Sequence, residues 1–359
     1  MIRNFARHML ISGLGHLGSA RARRTSAILC LHSVTKARSD EGQVSGLTIT
    51  DRFLERMIVD LRRQRISLVS LQEALHRVET GDTRPFVAIT FDDGCRDNYD
   101  VAFPVLRQYE VPFAIFLTTG FVDRRLPLWW RVLEDVVARN SHVTLGTVRL
   151  PAATIAEKKA AFALGDQYFR QQPSKDIPLI VERLLAEHRS GLQQGGGYDL
   201  AVDWPMVREM QQSGLATFGG HTVSHPMLSR LTASEIAVEI NECRDRLTEE
   251  LGGRPSYFAY PYGQGFEVGS DAVHAVEKAG FKAAFATERR LFRNDDLRRR
   301  FQIPRISIDT QSQSETIIRA YLSGLPASIQ KAVQSIRALP LIPGKGAPGG
   351  SGPQSVVGR

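Results

Sequence analysis

The chain has 359 residues, 42% hydrophobic and 23% charged, a composition typical of a folded globular protein and not of a fibrous or disordered one. This length can bury the core of one barrel-sized domain or of two ordinary domains. The 46 Lys and Arg against 38 Asp and Glu give a formal net charge of +8, which would suit an anionic partner. Much of the excess lies in two clusters, residues 21–24 and 289–300, that lack the interleaved aromatic side chains of a nucleic-acid groove. A solvated or membrane-facing basic surface is therefore favoured over a nucleic-acid site.

Cysteine usage and the two chain ends bear on location. Cys30, Cys95 and Cys243 are odd in number and widely spaced, which suits a reducing compartment or small buried apolar side chains better than a disulfide framework. No run of eighteen apolar residues is present, so we expect no membrane-spanning helix. Residues 1–26 are predicted to form a basic amphipathic segment, favoured over a signal peptide because glycines break the apolar run. A cytoplasmic location, or a peripheral one at the inner membrane face, is favoured, while export stays open. Residues 340–359, rich in Gly and Pro, are predicted to be a disordered tail.

Strand-like and helix-like runs alternate along most of the chain. The apolar runs at 28–32, 86–91 and 113–119 have strand length, whereas residues 51–64 and 204–214 follow the period of a helix. Such alternation predicts parallel strands covered by helices. About seven strand–helix units favour a distorted (β/α) barrel over an open doubly wound sheet. No Gly-x-Gly-x-x-Gly follows the first strand, which argues against dinucleotide binding.

Residues 131–200 interrupt this alternation. Their pattern is mostly helical and ends in a glycine-rich turn. We therefore interpret them as an insertion that caps one end of a barrel domain spanning residues 27–325.

Two adjacent carboxylates follow the strand-like run at 86–91, in the sequence Thr-Phe-Asp-Asp-Gly. Asp92 and Asp93 would repel each other in a low-dielectric site unless a cation neutralised one of them. A divalent cation would do so and leave the other carboxylate available as a base. An N-capping pair in a strand-to-helix turn remains the alternative.

Two histidines four residues apart, His221 and His225, are spaced so that one helical turn or loop could bring them to the same metal. Pro226 disfavours a helix at His225, so a loop or a single turn is expected. Two imidazoles and one carboxylate make a facial set of three ligands that leaves positions open for water and substrate. Surface histidines in a loop are the alternative. A third segment, Phe-Ala-Tyr-Pro-Tyr-Gly at 258–263, indicates by itself only a strand that ends in a turn.

In this order, the three segments resemble the motifs of the polysaccharide deacetylase family, the carbohydrate esterases that include chitin, chitooligosaccharide and peptidoglycan deacetylases. The resemblance extends over residues 27–310 apart from 131–200. It implies a distorted (β/α) barrel of about seven strands. It also implies a divalent metal held by Asp93, His221 and His225, with zinc expected and cobalt or nickel able to substitute.

The resemblance also implies roles for the neighbouring residues. Asp92 would be the general base, and the backbone N–H of Cys95 would join the metal in stabilising the tetrahedral oxyanion. Pro261 and Tyr262 would form a wall of the sugar groove. Because an amine leaves only after protonation, a general acid is also required.

The sequence departs from the common family pattern at two points. The usual Arg of the third motif would fall at Ala259, and the usual late Leu-x-His acid is absent. A similar subgroup carries a permuted motif with that histidine at the first strand, where Leu-Cys-Leu-His-Ser-Val at 29–34 has the right form. His32 is therefore the predicted general acid, with a core-edge histidine bonded to backbone as the alternative.

Further candidates come from position along the chain. Arg305 lies in a late strand near the expected barrel seam, where it could pair with Asp92 and hold down its pKa. An exposed Arg at a strand edge is the ordinary alternative. Trp129 and Trp130 could stack on sugar faces or pack in a core.

The function predicted from these residues and the resemblance is a metal-dependent hydrolase that removes N-acetyl groups from an N-acetylglucosamine-containing polysaccharide or oligosaccharide. Two alternatives remain open: a catalytically silent, metal-containing barrel that binds glycans, and an amidase acting on a non-sugar amide. The expected partner is an N-acetylated glycan, with no nucleic acid and with peripheral membrane contact through the basic N-terminal segment. The oligomeric state is left open.

Overall fold

The computed structural model describes residues 26–36, 44–192 and 195–324, and the findings below concern these residues. The predicted amphipathic segment, apart from residue 26, and the predicted tail at 340–359 lie outside them. No helix in the described ranges is both long enough and apolar enough to cross a membrane.

The strands in the described ranges are short and mostly buried. In chain order they are β1 (Ser26–Leu31), β2 (Ser33–Thr35), β3 (Thr48–Thr50), β4 (Ser67–Leu68), β5 (Phe86–Phe91), β6 (Phe113–Leu117), β7 (His142–Leu145), β8 (Val148–Pro151), β9 (Ala216–Gly220), β10 (Tyr257–Ala259), β11 (Ala283–Ala286), β12 (Ile303–Pro304) and β13 (Ile306–Ser307).

The main sheet runs in the order β12-β11-β10-β9-β6-β5-β1-β13, with β4 paired to the start of β5. Every pairing along this path is parallel. Only Arg305 separates β12, which pairs with β11, from β13, which pairs with β1. One short stretch of chain therefore bridges the two ends of the path, and the sheet is nearly closed into a barrel. If β12 and β13 are counted as one strand, the path contains seven strands. The predicted (β/α) barrel is therefore confirmed.

Helices follow most barrel strands and cover the outside of the sheet. In chain order, the helices in the described ranges are α1 (Asp51–Arg63), α2 (Leu71–Glu79), α3 (Phe103–Gln108), α4 (Thr119–Val122), α5 (Trp129–Arg139), α6 (Ile155–Phe169), α7 (Ile177–Glu187), α8 (Trp204–Gln212), α9 (Ala233–Leu251), α10 (Gly265–Val268), α11 (Ser270–Lys278) and α12 (Glu315–Leu322). A five-residue π-helix, Asn98–Ala102, leads into α3.

Local sequence signals account for several helix ends. The Thr50 side chain caps α1 by accepting a hydrogen bond from the backbone N–H of Phe53. Thr232 and Glu235 form a capping box at the start of α9. That helix ends at Gly252, whose φ of 70° is the left-handed conformation that glycine adopts without steric cost.

The region at 131–200 contains α6, α7 and most of α5, together with an antiparallel hairpin of β7 and β8 that the mostly helical pattern did not predict. The hairpin has a physical basis in the sequence. Side chains of β7 alternate between partly buried and buried, and Gly146, with φ 61°, lies in the turn. The division of the chain at 131–200 stays a prediction.

The structure shows the surroundings of the three cysteines and of the arginine cluster at 289–300. Cys30, Cys95 and Cys243 are free and buried, as small apolar side chains would be. Several arginines of the 289–300 cluster have acidic partners: Arg289 with Asp309, Arg290 with Asp296 and Arg300 with Glu79. This part of the basic surface is therefore locally neutralised.

Candidate active site

The side chains singled out by the sequence converge at the carboxyl end of the barrel, where parallel barrels build their sites. His32 follows β1, Asp92 and Asp93 follow β5, and His221 and Tyr262 lie just beyond β9 and β10. A cavity of about 530 Å³ opens there. Its lining includes His32, Asp92, Asp93, His221, His225 and Tyr262 from the strand ends, and Trp129, Trp130, Phe162, Asp166 and Arg170 from α5, α6 and the residue after α6.

Asp93, His221 and His225 form a compact group with metal-ligand chemistry. Their donor atoms lie within 4.8 Å of one another, and all three side chains are buried. The Nε2 atoms of His221 and His225 are 3.4 Å and 3.2 Å from the same oxygen, Oδ1 of Asp93. The sequence prediction that these three residues come together is therefore met in geometry.

The orientation of His221 fits metal binding. Its Nδ1 lies 2.7 Å from the carbonyl oxygen of Ala259, and a carbonyl can only accept, so Nδ1 carries the proton. In the neutral ring, Nε2 then carries a lone pair that faces Asp93. Oδ1 of Asp93 is buried and has no hydrogen-bond partner among the described residues. Lone pairs that face one another without a proton between them suit a divalent cation, and a backbone acceptor on the far nitrogen is the usual support of a ligand histidine.

His225 is held in its neutral, ligand-competent state. Burial lowers its pKa from the ordinary value of 6.5, and the opposing effect of Asp93 does not restore it. Its backbone is in the left-handed region with φ 58°, as is that of Asp93 with φ 73°. Residues 221–226 form a loop with no helix, as Pro226 predicted. Left-handed backbone at non-glycine residues is typical of positions that the surrounding structure constrains for function.

Asp92 is paired with Arg305 in the barrel interior. Nη1 and Nη2 of Arg305 donate to Oδ1 and Oδ2 of Asp92 at 2.6 Å and 2.7 Å, a bidentate geometry. Arg305 is fully buried and Asp92 is 3% exposed. The predicted contact is thus present, and an exposed edge arginine is excluded.

The arginine determines the charge state of the carboxylate. Burial alone would raise the pKa of Asp92, but the charge of Arg305, followed by the effects of His221, the Arg305 hydrogen bonds and His32, lowers that pKa below the ordinary 3.8. Cys30 donates a further hydrogen bond from Sγ to Oδ2 at 3.3 Å. Asp92 is therefore an ionised carboxylate at neutral pH, the state that a general base requires.

His32 lies near Asp92 and lines the cavity. Ligand atoms of Cys30, His32 and Asp92 lie within 4.8 Å of one another, but Arg305 already neutralises Asp92, so this group is a poor second metal site. Nδ1 of His32 is buried without a hydrogen-bond partner among the described residues. This nitrogen therefore does not make the backbone hydrogen bond that the alternative interpretation of His32 required.

The backbone at His32 is held by residues that no sequence pattern singled out. Asn98 donates from Nδ2 to the carbonyl oxygen of His32 at 2.6 Å. The next residue, Ser33, contacts Asp97 and accepts from Nη1 of Arg131 at 2.6 Å. Because Arg131 belongs to α5 and Asp97 precedes the π-helix, no local pattern could have linked them to His32.

Aromatic residues border the same cavity. Trp129 stacks on Phe169 with ring centroids 4.7 Å apart, so core packing occupies one of its faces. Trp130 packs against His225 at 5.2 Å and is 6% exposed. The predicted stacking of Trp130 on a sugar stays a prediction.

The turn after β10 forms another wall. Tyr262, with φ 62°, lies under Arg170, whose guanidinium carbon is 4.0 Å from the ring centroid. Arg170 also pairs with Glu267 at 3.3 Å, and it comes from the residue after α6. Pro261 is buried beside this turn. Its role and that of Tyr262 as a groove wall stay predictions, whereas Arg170 was not anticipated.

Cys95 lies directly after the Asp-Asp-Gly turn. Its side chain is 2% exposed and packs in the cluster that contains Trp129 and Trp130. Burial is the first cause of the raised pKa of its thiol, so the side chain acts as a small apolar group. The predicted oxyanion contact concerns its backbone N–H and stays a prediction.

The barrel and the group of Asp93, His221 and His225 at its carboxyl end define a class of (β/α)-barrel proteins with a metal-type site. The family model described as polysaccharide deacetylase matches residues 80–284, more than half of the chain. The chain therefore belongs to the polysaccharide deacetylase family. His32 and Arg305 lie outside the matched range, so the match itself carries no information on them.

Among curated proteins, YxkH of Bacillus subtilis (strain 168), named as a polysaccharide deacetylase, is 30% identical over 131 residues. The match covers 32% of this chain and 47% of YxkH, so the chain spans about half the length of this curated relative.

Solved structures agree with the fold. The deacetylase PplD of Streptococcus pyogenes, solved in complex with acetate, superposes with a TM-score of 0.55 at 16% identity. The superposition covers 83% of this chain and 98% of the PplD chain. A de-N-acetylase from Aggregatibacter actinomycetemcomitans has a TM-score of 0.54 at 19% identity, covering 82% and 98%. IcaB from Ammonifex degensii has a TM-score of 0.52 at 21% identity, covering 84% and 97%. At these identities, the likenesses bear on the fold alone.

Proposed function

We propose that this protein is a metal-dependent hydrolase, with zinc as the expected metal, that removes N-acetyl groups from an N-acetylglucosamine-containing polysaccharide or oligosaccharide. The observation that carries the proposal is the placement of the Asp92 carboxylate, paired with Arg305, beside the three-residue group of Asp93, His221 and His225 in one cavity. Membership of the polysaccharide deacetylase family supports an N-acetylated glycan as the substrate.

The residues present fit a divalent cation, and each keeps a distinct part in the chemistry. When bound, the cation would polarise the acetamide carbonyl and lower the pKa of water. Asp92 accepts the proton of the attacking water, and Arg305 holds the carboxylate ionised and oriented for that transfer. The backbone N–H of Cys95 donates to the oxyanion that develops on the carbonyl oxygen.

His32 is assigned as the general acid in this proposal. Cleavage of the C–N bond needs a proton on the leaving nitrogen, and His32 is an imidazole that lines the cavity near Asp92. The hydrogen bond from Asn98 to the carbonyl oxygen of His32 helps to hold this residue in the cavity wall. The products are acetate and the free amine of the sugar.

The test is acetate release from chitooligosaccharides and other N-acetylated glycans by the full chain supplied with Zn²⁺, with and without chelator. Chelator-sensitive release that Asp92→Asn abolishes is expected. Asp100→Asn is a matched control, because Asp100 is exposed and lies eight residues further along the chain. Zinc binding and glycan binding without acetate release would instead identify a silent glycan-binding barrel, and release only from small non-sugar amides would identify an amidase.

We also propose that the protein works in the cytoplasm or at the inner membrane face. The sequence of residues 1–26 supports this location through its basic amphipathic pattern. Fractionation of cells that express the full chain tests this location. Recovery of the protein from the side of the inner membrane that faces away from the cytoplasm would contradict the proposal. Removal of peripheral protein by high salt would support an electrostatic contact.

A further inference from the structure

The loop between the two candidate ligand histidines has an unfavourable backbone conformation. Thr222 and His225 have φ values of 66° and 58°, both in the left-handed region that β-branched and bulky residues rarely adopt. Residues 221–226 belong to no helix or strand. Such a conformation costs free energy and persists only where neighbouring groups hold it.

On one side, the loop is held by Thr118 and the start of α4, which follow β6. The backbone N–H groups of Thr119 and Gly120 donate to the carbonyl oxygens of Thr222 and Val223 at 3.2 Å and 2.8 Å. The Thr118 hydroxyl donates to the carbonyl oxygen of His221 at 2.9 Å. These contacts satisfy carbonyl groups of the loop and leave its N–H groups to be satisfied from elsewhere.

Within the loop, the hydroxyl of Thr222 accepts from the backbone N–H of His225 at 3.0 Å. The N–H groups of the two residues between them are bound by a carboxylate on the other side of the loop. Glu239, on α9, accepts hydrogen bonds at Oε2 from the backbone N–H groups of Val223 and Ser224 at 2.8 Å and 2.9 Å. Its Oε1 accepts from the hydroxyl of Ser224 at 2.5 Å. Both donating residues lie between His221 and His225, so the carboxylate fixes the segment that joins them.

We propose that Glu239 is a positioning residue for metal binding, which holds the 222–225 loop in the conformation that aims His225 at Asp93. The inference rests on the metal site proposed above and concerns a residue outside the three-ligand group. Without the carboxylate, two backbone N–H groups lose their acceptor, and the loop can relax toward ordinary backbone angles. His225 would then lie at the wrong distance from Asp93 and His221.

The experiment measures zinc affinity of the full chain by competition with a chromophoric chelator, with no substrate present. Glu239→Ala should weaken zinc binding by about 10–100-fold, the range found when supports of metal ligands are removed. Glu239→Gln should stay near wild type, because its amide oxygen can accept both N–H groups and its NH₂ can donate to the Ser224 hydroxyl. Acetate release at limiting zinc should fall in the same order.

A matched control separates positioning from general loss of stability. Glu235 lies one turn earlier on α9 and accepts from the Thr232 backbone N–H at 2.8 Å in the capping box. Glu235→Ala therefore weakens the same helix without touching the loop, and it should leave zinc affinity unchanged. Equal zinc loss in Glu235→Ala and Glu239→Ala, or no loss in Glu239→Ala, would overturn the proposal.

Glu239→Asp keeps the test decisive if Glu239→Ala does not fold. This variant retains the charge but shortens the side chain by one methylene, so it should lose the short contacts and bind zinc more weakly than Glu239→Gln. Wild-type affinity in Glu239→Asp would contradict the proposal. If wild type binds zinc but releases no acetate, the proposed function fails while these affinities still decide the role of Glu239. If wild type binds no zinc, both proposals fail.

Discussion

Arg305 and Asp92 lie 213 positions apart in the chain and form a fully buried, bidentate ion pair beside the candidate metal ligands. Arg305 stands between β12 and β13, at the point where one stretch of chain bridges the two edges of the sheet. The closure of the barrel thus also delivers a guanidinium to the predicted base. We expect this guanidinium to take the place of the arginine that the third motif lacks at Ala259.

Arg305→Gln should strongly destabilise the fold and change the pH dependence of catalysis. Removing one partner leaves Asp92 buried without its cation, which typically costs about 3–5 kcal/mol. Because the charge of Arg305 is the largest cause that lowers the pKa of Asp92, that pKa should rise in the variant. The acidic limb of the pH–rate profile should therefore move to higher pH, and denaturant unfolding measures the stability loss.

The pKa of Asp92 is lower in the folded wild type than its ordinary value of 3.8. The carboxylate therefore stabilises the fold at pH values above 3.8, and this stabilisation is lost as the pH falls through the folded-state pKa. The stability difference between wild type and Arg305→Gln should accordingly be largest near neutrality and shrink below about pH 4. A difference that does not depend on pH would contradict the pairing as its cause.

His32→Ala should leave metal affinity intact and abolish most turnover, because the proposed acid acts on the leaving nitrogen and not on the metal. A loss of about 10²–10⁴-fold in kcat is expected for a general acid. His274→Ala, an exposed histidine on α11, is the control and should retain full activity. Unchanged deacetylation by His32→Ala would rule out the assignment.

Zinc removal should abolish activity and lower thermal stability. A ligand that binds only the folded chain stabilises it by mass action, by about 2.7 kcal/mol when present at 100 times its Kd. Thermal unfolding with and without chelator should therefore show a higher Tm with zinc. His225→Ala should remove most of that shift, and an unchanged shift in the variant would place the metal elsewhere.

Gly120→Ala should disturb the metal-ligand loop from its other side. A Cβ at Gly120 would lie 2.5 Å from the carbonyl oxygen of Val223, a backbone atom that cannot move without shifting the loop. Overpacking of this kind costs about 1–3 kcal/mol. Zinc affinity should fall together with stability in chelator competition and denaturant unfolding.

Gly253→Ala is the matched control for that substitution, because nothing lies within 4 Å of a Cβ there. It should leave zinc affinity unchanged and unfolding within about 1 kcal/mol of wild type. If both glycine variants lose zinc to the same extent, the close approach of Gly120 to Val223 is not the cause.

Much of the barrel could be predicted because its signals are local. The apolar run at 86–91 became β5 over the same residues, and the helical period at 51–64 became α1, with Thr50 as its cap. The hairpin at 142–151 was missed because two four-residue strands offer too few periods to outweigh the helical pattern on either side.

The candidate site divides in the same way. Asp92, Asp93, His221 and His225 could be named from the sequence, because the members of each pair lie within five residues of each other and the Asp pair follows a strand-like run. Arg305 could be proposed only from its place near the expected seam. Glu239, Asp97, Arg131 and Arg170 carried no local signal, since each is an ordinary charged residue on or beside a helix until the fold brings it to the site.

The sequence by itself determined the alternation of strands and helices, the parallel barrel that follows from it, and the residue types of the metal-type group. Only the tertiary structure decided that Arg305 reaches Asp92, that Glu239 holds the 222–225 loop and that Arg170 lies over Tyr262. The physical reason is the distance along the chain over which each kind of interaction acts. Hydrophobic period and capping depend on neighbours a few residues away. The pairing of a buried charge depends on which strand ends and helix faces the closed barrel brings together, however far apart they lie in the chain.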